Sequence, residues 1–337
     1  MSWTDLSEVY SATGIVPVLG AGLSVGSNLP DWSELLRRVA RRCGHDVSSQ
    51  LVDDLVRAGY GLPAVAGMLR AMCTSRAEFT NFVREELYRD FRRAFAGAPV
   101  PPPDHLVTFV RSHNRTLSSV AALCAVESHD GRTFHRNRKV KAIVNFNVDA
   151  VFREYVQARY RRALVRTIER PSKEPDRDRV SVYYMHGFLR FDEKADDPTK
   201  EASDKLVLAE HEYFDFFNNP TGLFNHTFLY LMREHRCVFI GLSMHDYNIR
   251  RLLHYSTKER VQAYVDEGKS VAVGKSKSLR HFAILKRHES DSVNIAVERS
   301  LEELGTRVLW ITSFAEIPEQ LGKMYESGGN SWSAVYS

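Results

Sequence analysis

The sequence predicts an α/β fold built on a mainly parallel sheet, with a helical insertion after the first strand. Two observations carry this. Short runs with strand character occur at Ile15 to Leu19, Lys141 to Phe146, Val182 to Met185, Lys205 to Leu208, Cys237 to Ile240 and Arg307 to Ile311, with helical patterns between several of them. Such alternation places strands side by side in one direction. The interval between the first two runs, roughly Trp32 to Arg138, is far longer than a crossover needs and holds amphipathic patterns without a convincing strand, Trp32, Leu35, Leu36 and Val39 sharing one helical face.

The first run ends on Gly20-Ala21-Gly22-Leu23-Ser24, and a helical segment begins near Asp31. A buried strand, a glycine turn and a helix let backbone amides approach a pyrophosphate closely. Two glycines at such a joint also serve conformational needs alone. Within the helical interval, Ala98-Pro99-Val100-Pro101-Pro102-Pro103 must interrupt helices, because proline lacks the amide proton and clashes with the preceding turn. Pro171 to Arg179 and Asp192 to Asp204 read as polar surface loops, and the Gly/Ser-rich end from Ser327 to Ser337 as a frayed tail. The expected organisation is therefore a sheet domain from 1–31 and 139–325, a helical lobe over 32–138 and a flexible tail over 326–337.

With 337 residues, 43% of them hydrophobic, the chain can bury one large core or two modest ones, which excludes wholesale disorder. No apolar stretch approaches the roughly 20 residues that span a bilayer. The start Met1-Ser2-Trp3-Thr4-Asp5 has neither the basic flank nor the apolar centre of a signal peptide. A cytoplasmic protein without a membrane partner is expected. Cys43, Cys73, Cys124 and Cys237 are far apart in sequence and make no zinc-knuckle pair, so they read as buried free thiols. The net charge of +4 is spread out, with basic pairs such as Arg37-Arg38, Arg92-Arg93 and Arg161-Arg162, and no nucleic-acid module accompanies them. Contact with nucleic acid is expected only indirectly.

Three further patterns close strands. Val144-Asn145-Phe146-Asn147-Val148-Asp149 precedes a helical pattern, and polar side chains at the carboxyl end of a parallel strand face the crevice where α/β sheets bind ligands. Asn147 and Asp149 are equally good helix caps. Tyr183-Tyr184-Met185-His186-Gly187 puts a histidine between an apolar strand and a glycine, where a side chain with an unperturbed pKa of about 6.5 suits base catalysis. In Gly241-Leu242-Ser243-Met244-His245-Asp246, Gly241 allows close backbone approach, Ser243 can donate to a phosphate or ribose oxygen, and Asp246 can accept from a hydroxyl. Ser243 or Asp246 can also cap the helix that follows.

In this order, GAGLS, NFNVD, MHG and GLSMHD resemble the sirtuin superfamily, and its bacterial sirtuin-like NAD-cleaving branch more than the protein deacylases, over about Ile15 to Leu253. The resemblance implies a Rossmann-like sheet. Gly20, Ala21, Gly22 and Ser24 match the turn that holds the NAD diphosphate, and Asn147 and Asp149 the polar pair near the nicotinamide ribose and carboxamide. His186 matches the catalytic histidine, while Gly241 and Ser243 match the pair facing the adenosine half; Asp246 joins the binding set. The four-cysteine zinc module of the deacylases is missing, so no zinc is expected, and Asn145-Phe146 stands where the family usually has Thr-Gln or Thr-Thr.

The implied activity is hydrolysis of NAD+, as substrate, at the nicotinamide–ribose bond, with Asn147 and His186 as catalytic residues and NAD depletion in bacterial antiphage defence as the setting. A homo-oligomer is expected, with a HerA-type ATPase or another sensor encoded alongside. The alternatives are an NAD-dependent protein deacylase and a non-catalytic NAD or ADP-ribose-binding regulatory subunit.

Overall fold

Helix α1 (Trp3–Thr13) leads into β1 (Ile15–Leu19), whose five residues are all buried. Full burial on both faces is what a continuous apolar run in a central parallel strand requires. A computed structural model describes residues 2–44, 50–128, 133–160, 164–169, 173–191, 206–218 and 222–336. After β1 come α2 (Trp32–Ala40), α3 (Leu51–Arg57), α4 (Leu62–Ala71), α5 (Arg76–Arg93), α6 (Pro103–His113) and α7 (Arg115–Leu123). The proline-rich joint separates α5 from α6, and α6 starts on Pro103, where a missing amide proton costs nothing.

The lobe is not wholly helical. Strands β2 (Ala125–Glu127) and β3 (Phe134–Arg136) pair antiparallel as a small separate ribbon. They are too short for periodicity to reveal them. The main sheet then takes β4 (Ile143–Asn145), α8 (Val151–Tyr160), β5 (Val165–Ile168), β6 (Val180–Tyr184), α9 (Glu210–Asn218), α10 (Leu223–Glu234), β7 (Arg236–Ile240), α11 (Tyr247–Asp266), α12 (Val271–Ser278), β8 (His281–Lys286), α13 (Asp291–Glu302) and β9 (Thr306–Ile311). Helices α14 (Ile317–Ser327) and α15 (Trp332–Tyr336) close the chain.

Seven strands, in the order β5-β6-β4-β1-β7-β8-β9, make one sheet in which every pairing is parallel. The fold is therefore Rossmann-like α/β, as the sequence predicts. From β1 the chain builds one side of the sheet through β4 and β6, then crosses to β7 on the other, so the topological switch lies at β1. That is where open α/β sheets hold ligands.

Alternate residues of β1 serve two cores. Ile15 and Leu19 join a large cluster that runs from this face of the sheet through the lobe, while Val16 and Val18 join a smaller one with Leu252 and Leu253 of α11. The lobe thus shares its core with the sheet. Two buried contacts fix it there. Tyr88 of α5 accepts from the Ala150 amide and donates to the Leu189 carbonyl, both at 2.7 Å. Asn114 caps α7 and donates to the Leu23 carbonyl at 2.7 Å, holding the glycine turn.

Other expectations need correction. Leu206 to Leu208 form no strand; they are buried irregular backbone, and the Val207 amide donates to the His186 carbonyl at 3.0 Å. An apolar run does not distinguish a strand from a packed wall. The final segment, expected to be a flexible tail, carries α15. Val335 is fully buried, its carbonyl accepts from the Tyr160 hydroxyl at 2.7 Å, and the Trp332 and Tyr336 rings stack at 5.1 Å. Aromatic anchors outweigh the glycines and serines around them. Cys43 and Cys73 are half-buried neighbours with sulfurs 3.3 Å apart, while Cys124 and Cys237 are buried singly. The loop 192–204, part of the loop 171–179 and the Arg161-Arg162 pair lie outside the described residues.

Candidate functional site

A cavity of about 750 Å³ opens along the carboxyl ends of the strands around β1. All ten residues singled out from sequence line it: Gly20, Ala21, Gly22 and Ser24 after β1, Asn147 and Asp149 after β4, His186 after β6, and Gly241, Ser243 and Asp246 after β7. From β6 to β8 the wall crosses four strand spacings, about 19 Å at about 4.8 Å each.

The glycines first serve to bring two turns together. The Gly20 amide donates to the Ile240 carbonyl at 3.0 Å and the Gly22 amide to the Gly241 carbonyl at 2.9 Å. A Cβ on Gly20 would meet Leu242 at 2.4 Å and Gly241 at 2.6 Å, and one on Gly241 would sit 2.5 Å from the Leu23 nitrogen. Gly241 also has a φ of 71°, which side chains rarely adopt. The Leu23 and Ser24 amides turn back onto Gly20 and Ala21. The turn's shape is thus fixed by contacts within the protein, with much of its donor capacity already used.

Beyond the turn, Ser24 is the hub of a buried chain. Its hydroxyl donates to Asp149 Oδ2 at 2.7 Å and receives Asn147 Nδ2 at 3.3 Å. Asn147 Nδ2 also donates to the Gly20 carbonyl at 2.9 Å, and the Asn147 amide to Asn145 Oδ1 at 2.9 Å. Asp149 Oδ1 accepts from the Val151 amide at 2.9 Å, so Asp149 caps α8 with one oxygen and anchors Ser24 with the other. Burial raises its pKa, against the opposing hydrogen bonds from Ser24 and Val151. Asn147 is not the cap. Its Oδ1 is buried with no hydrogen-bond partner among the described residues, and a buried acceptor left so costs about 1–3 kcal/mol unless something donates to it.

His186 is buried between two aromatic edges, Phe146 at 5.0 Å and Tyr213 of α9 at 5.4 Å between ring centroids. Burial lowers its pKa, and the nearby Asp246 charge opposes that shift. The ring is therefore neutral at pH 7 and able to accept a proton. Asp246 Oδ1 accepts from the Asn248 and Ile249 amides at 2.8 and 3.0 Å, capping α11. Ser243 is exposed at the cavity rim.

Some of the wall is invisible to sequence reasoning. Trp32 and Leu35 of α2 and Leu87 of α5 bring the lobe over the cavity, and Tyr213 arrives from α9. The far end is built by Lys286 and His288 after β8, Asn294 of α13, and Trp310 and Phe314 around the end of β9. Asn294 Oδ1 accepts from the His288 amide at 2.8 Å and Nδ2 returns to the His288 carbonyl at 2.9 Å, which sets this loop. No glycine marks the end of β8; only its position beside β7 reveals it. Asp31, lining the rim, caps α2 by accepting from the Glu34 amide at 2.8 Å.

Among the described residues no group of three or more His, Cys, Asp or Glu is placed to hold a metal ion, and no helix is long and apolar enough to cross a membrane. The family model described as a SIR2-like domain matches residues 141–309, from the approach to β4 through most of β9. No curated protein matches the chain. The matched span holds Asn147, Asp149, His186 and the β7 turn, and it leaves outside the glycine turn and the lobe that complete the cavity.

Proposed function

The chain belongs to the SIR2-like domain family, and from that premise we propose that its cavity takes NAD+ as substrate and that the protein hydrolyses the nicotinamide–ribose bond, releasing nicotinamide and ADP-ribose. The observation that carries this reading is the convergence of a buried, unsatisfied Asn147 Oδ1 and a buried His186, whose pKa burial lowers, on one cavity. Its size falls in the range of about 300–1,000 Å³ typical of small-molecule and cofactor sites. Its length suits a dinucleotide lying across several strand ends.

Nicotinamide leaves as a neutral molecule from a cationic ring, so the departure needs little acid assistance. What the protein must supply is an arrangement that tolerates positive charge on the ribose and delivers water. Asn147 Oδ1 accepts from a ribose hydroxyl or from the water, held in place by the bonds from Nδ2 to Gly20 and Ser24. His186 takes the proton, from water directly or through a ribose hydroxyl, a role typically worth about a hundredfold to ten-thousandfold. Phe146 and Tyr213 limit the tilt of its ring and exclude bulk water. Asp149 keeps Ser24 oriented and contacts the carboxamide. The turn after β1 seats the diphosphate, Gly241 and Ser243 face the adenosine half, and Asp246, whose charge reaches His186, completes the binding set.

The setting we propose is NAD depletion in bacterial antiphage defence, activated by assembly of the chain with its own copies or with a HerA-type ATPase or another sensor encoded alongside. The test is to incubate purified protein, alone and with the neighbouring gene's product, with NAD+ and to quantify nicotinamide and ADP-ribose chromatographically. The reading expects equal amounts of both products without any acyl-lysine peptide. Release only in the presence of such a peptide supports a deacylase instead, and binding without turnover in either condition supports a regulatory subunit.

A further inference from the structure

The β8 end of the cavity differs in charge from the rest. Ser24, Asn147, Asp149 and His186 surround its β4–β6 end, whereas the wall from β8, α13 and the end of β9 is apolar and aromatic apart from Lys286, His288 and Asn294. Lys286 is exposed, has no ion pair among the described residues and is the one formal charge on this stretch of wall. None of the acidic groups close by in sequence, Glu289 included, lines the cavity. Asp291 faces Arg287 at 3.8 Å, and Glu298 accepts from Trp310 Nε1 at 3.3 Å; neither lines the cavity.

His288 adds a donor beside Lys286. Its Nδ1 accepts from the Ser290 amide at 3.0 Å, which leaves the ring proton on Nε2 when the imidazole is neutral. Asn294 is committed to the His288 backbone and fixes the loop. Cavities of this topology distinguish the two common dinucleotides at the adenosine ribose. A carboxylate there accepts from a free 2′-hydroxyl, and a cation accommodates a 2′-phosphate. This end of the wall has the cation and no carboxylate.

Resting on the reading of the cavity as a dinucleotide site with its reacting bond at His186, we infer that the β8 end is a subsite for a phosphate on the adenosine ribose, recognised by Lys286. The preferred substrate class is then the 2′-phosphorylated dinucleotide. The strand order supports this: Lys286, at the end of β8, lies across the β1 turn from the reacting bond near β6 and β4, on the side toward which the far ribose of an extended dinucleotide runs. His288 Nε2 provides a second donor, and Trp310 and Phe314 offer aromatic surface to the base.

The test uses two ligands that lack the scissile bond, ADP-ribose and its 2′-phosphate, titrated calorimetrically into the whole protein. The 2′-phosphate should bind about tenfold more tightly, the size expected of one charge-assisted contact. Lys286→Ala should erase that ratio, Lys286→Arg should keep it and Lys286→Glu should reverse it. Equal affinities in the native protein, or a Lys286→Ala loss that falls equally on both ligands, overturns the inference. Nicotinamide release is measured in parallel. Release from NAD+ or its 2′-phosphate without a 2′-phosphate preference in binding sinks this inference alone, binding with the preference but no release from either dinucleotide sinks the hydrolase reading alone, and neither binding nor release sinks both.

Discussion

Ser24 and Asp149 meet at 2.7 Å although 125 positions separate them in the chain. One follows β1 and the other follows β4, two strands that run parallel side by side. Their contact ties the glycine turn to the start of α8, which Asp149 also caps. Together with the bonds from Asn147 Nδ2 to the Gly20 carbonyl and the Ser24 hydroxyl, it fixes the relative position of the two strand ends on which the cavity depends.

Ser24→Ala removes the donor and leaves the buried Asp149 carboxylate with the Val151 amide. Stability should fall by about 1–3 kcal/mol. The loss has a pH dependence whose sign follows from the raised pKa of Asp149. A group bound more tightly to its proton in the folded state contributes stability below its unfolded pKa and loses it as pH rises through the folded value. The substitution raises that value further, so urea unfolding should show a larger gap between variant and native protein at pH 8 than at pH 4.

Gly241→Ala places a Cβ 2.5 Å from the Leu23 nitrogen at a φ of 71°. The left-handed conformation alone costs roughly 1–2 kcal/mol, and the two turns must also separate. A melting temperature lowered by several degrees is expected, together with weakened ADP-ribose binding, because the cavity floor is that contact. A variant with native stability and native affinity would show that the close approach of the turns is not required.

The segments that sequence reasoning recovers are those whose chemistry is local. β1 is legible because five buried apolar residues run into a glycine turn, and β7 because its apolar run ends on Gly241. The ten residues of the candidate site that line the cavity are legible for the same reason, each lying at a strand end beside a turn signal. β5, with Arg166 in its centre, and β8, which ends on Lys286 with no glycine after it, offer no such signal. Tyr213 and Trp32 reach the cavity only through the packing of α9 and α2. The Gly and Ser content of the last residues predicts a flexible tail, whereas Trp332, Val335 and Tyr336 anchor it.

Asp246 raises the pKa of His186 against the effect of burial. Asp246→Asn keeps an oxygen for the α11 cap and removes the charge. The acid limb of the kcat/KM profile for nicotinamide release should lie below the ordinary histidine pKa of about 6.5 in the native protein. In the variant it should move to still lower pH. An unmoved limb would mean that the limb reports another group.

His281, at the start of β8, is buried and accepts from the Cys237 amide through Nδ1 at 3.1 Å. Burial, aided by the charges of Arg280, Arg260 and Arg236, lowers its pKa to about 3. The unfolded chain then binds a proton that the folded chain refuses between about pH 6.5 and the folded value. Stability should decline as pH falls through that window, by about 1.4 kcal/mol per pH unit at most from this group. His281→Asn should cost stability at pH 7.5 and show a shallower decline toward pH 5 in denaturant titrations.

In the proposed reaction Asn147 and His186 act together on the nicotinamide–ribose bond. The most direct measurement is the rate of nicotinamide release from NAD+ by the active native assembly and by its Asn147→Ala and His186→Ala forms, each shown to be folded by its unfolding transition. A loss of at least about a hundredfold is expected for each substitution, with ADP-ribose binding retained in His186→Ala. Turnover at the native rate in both folded variants would contradict it.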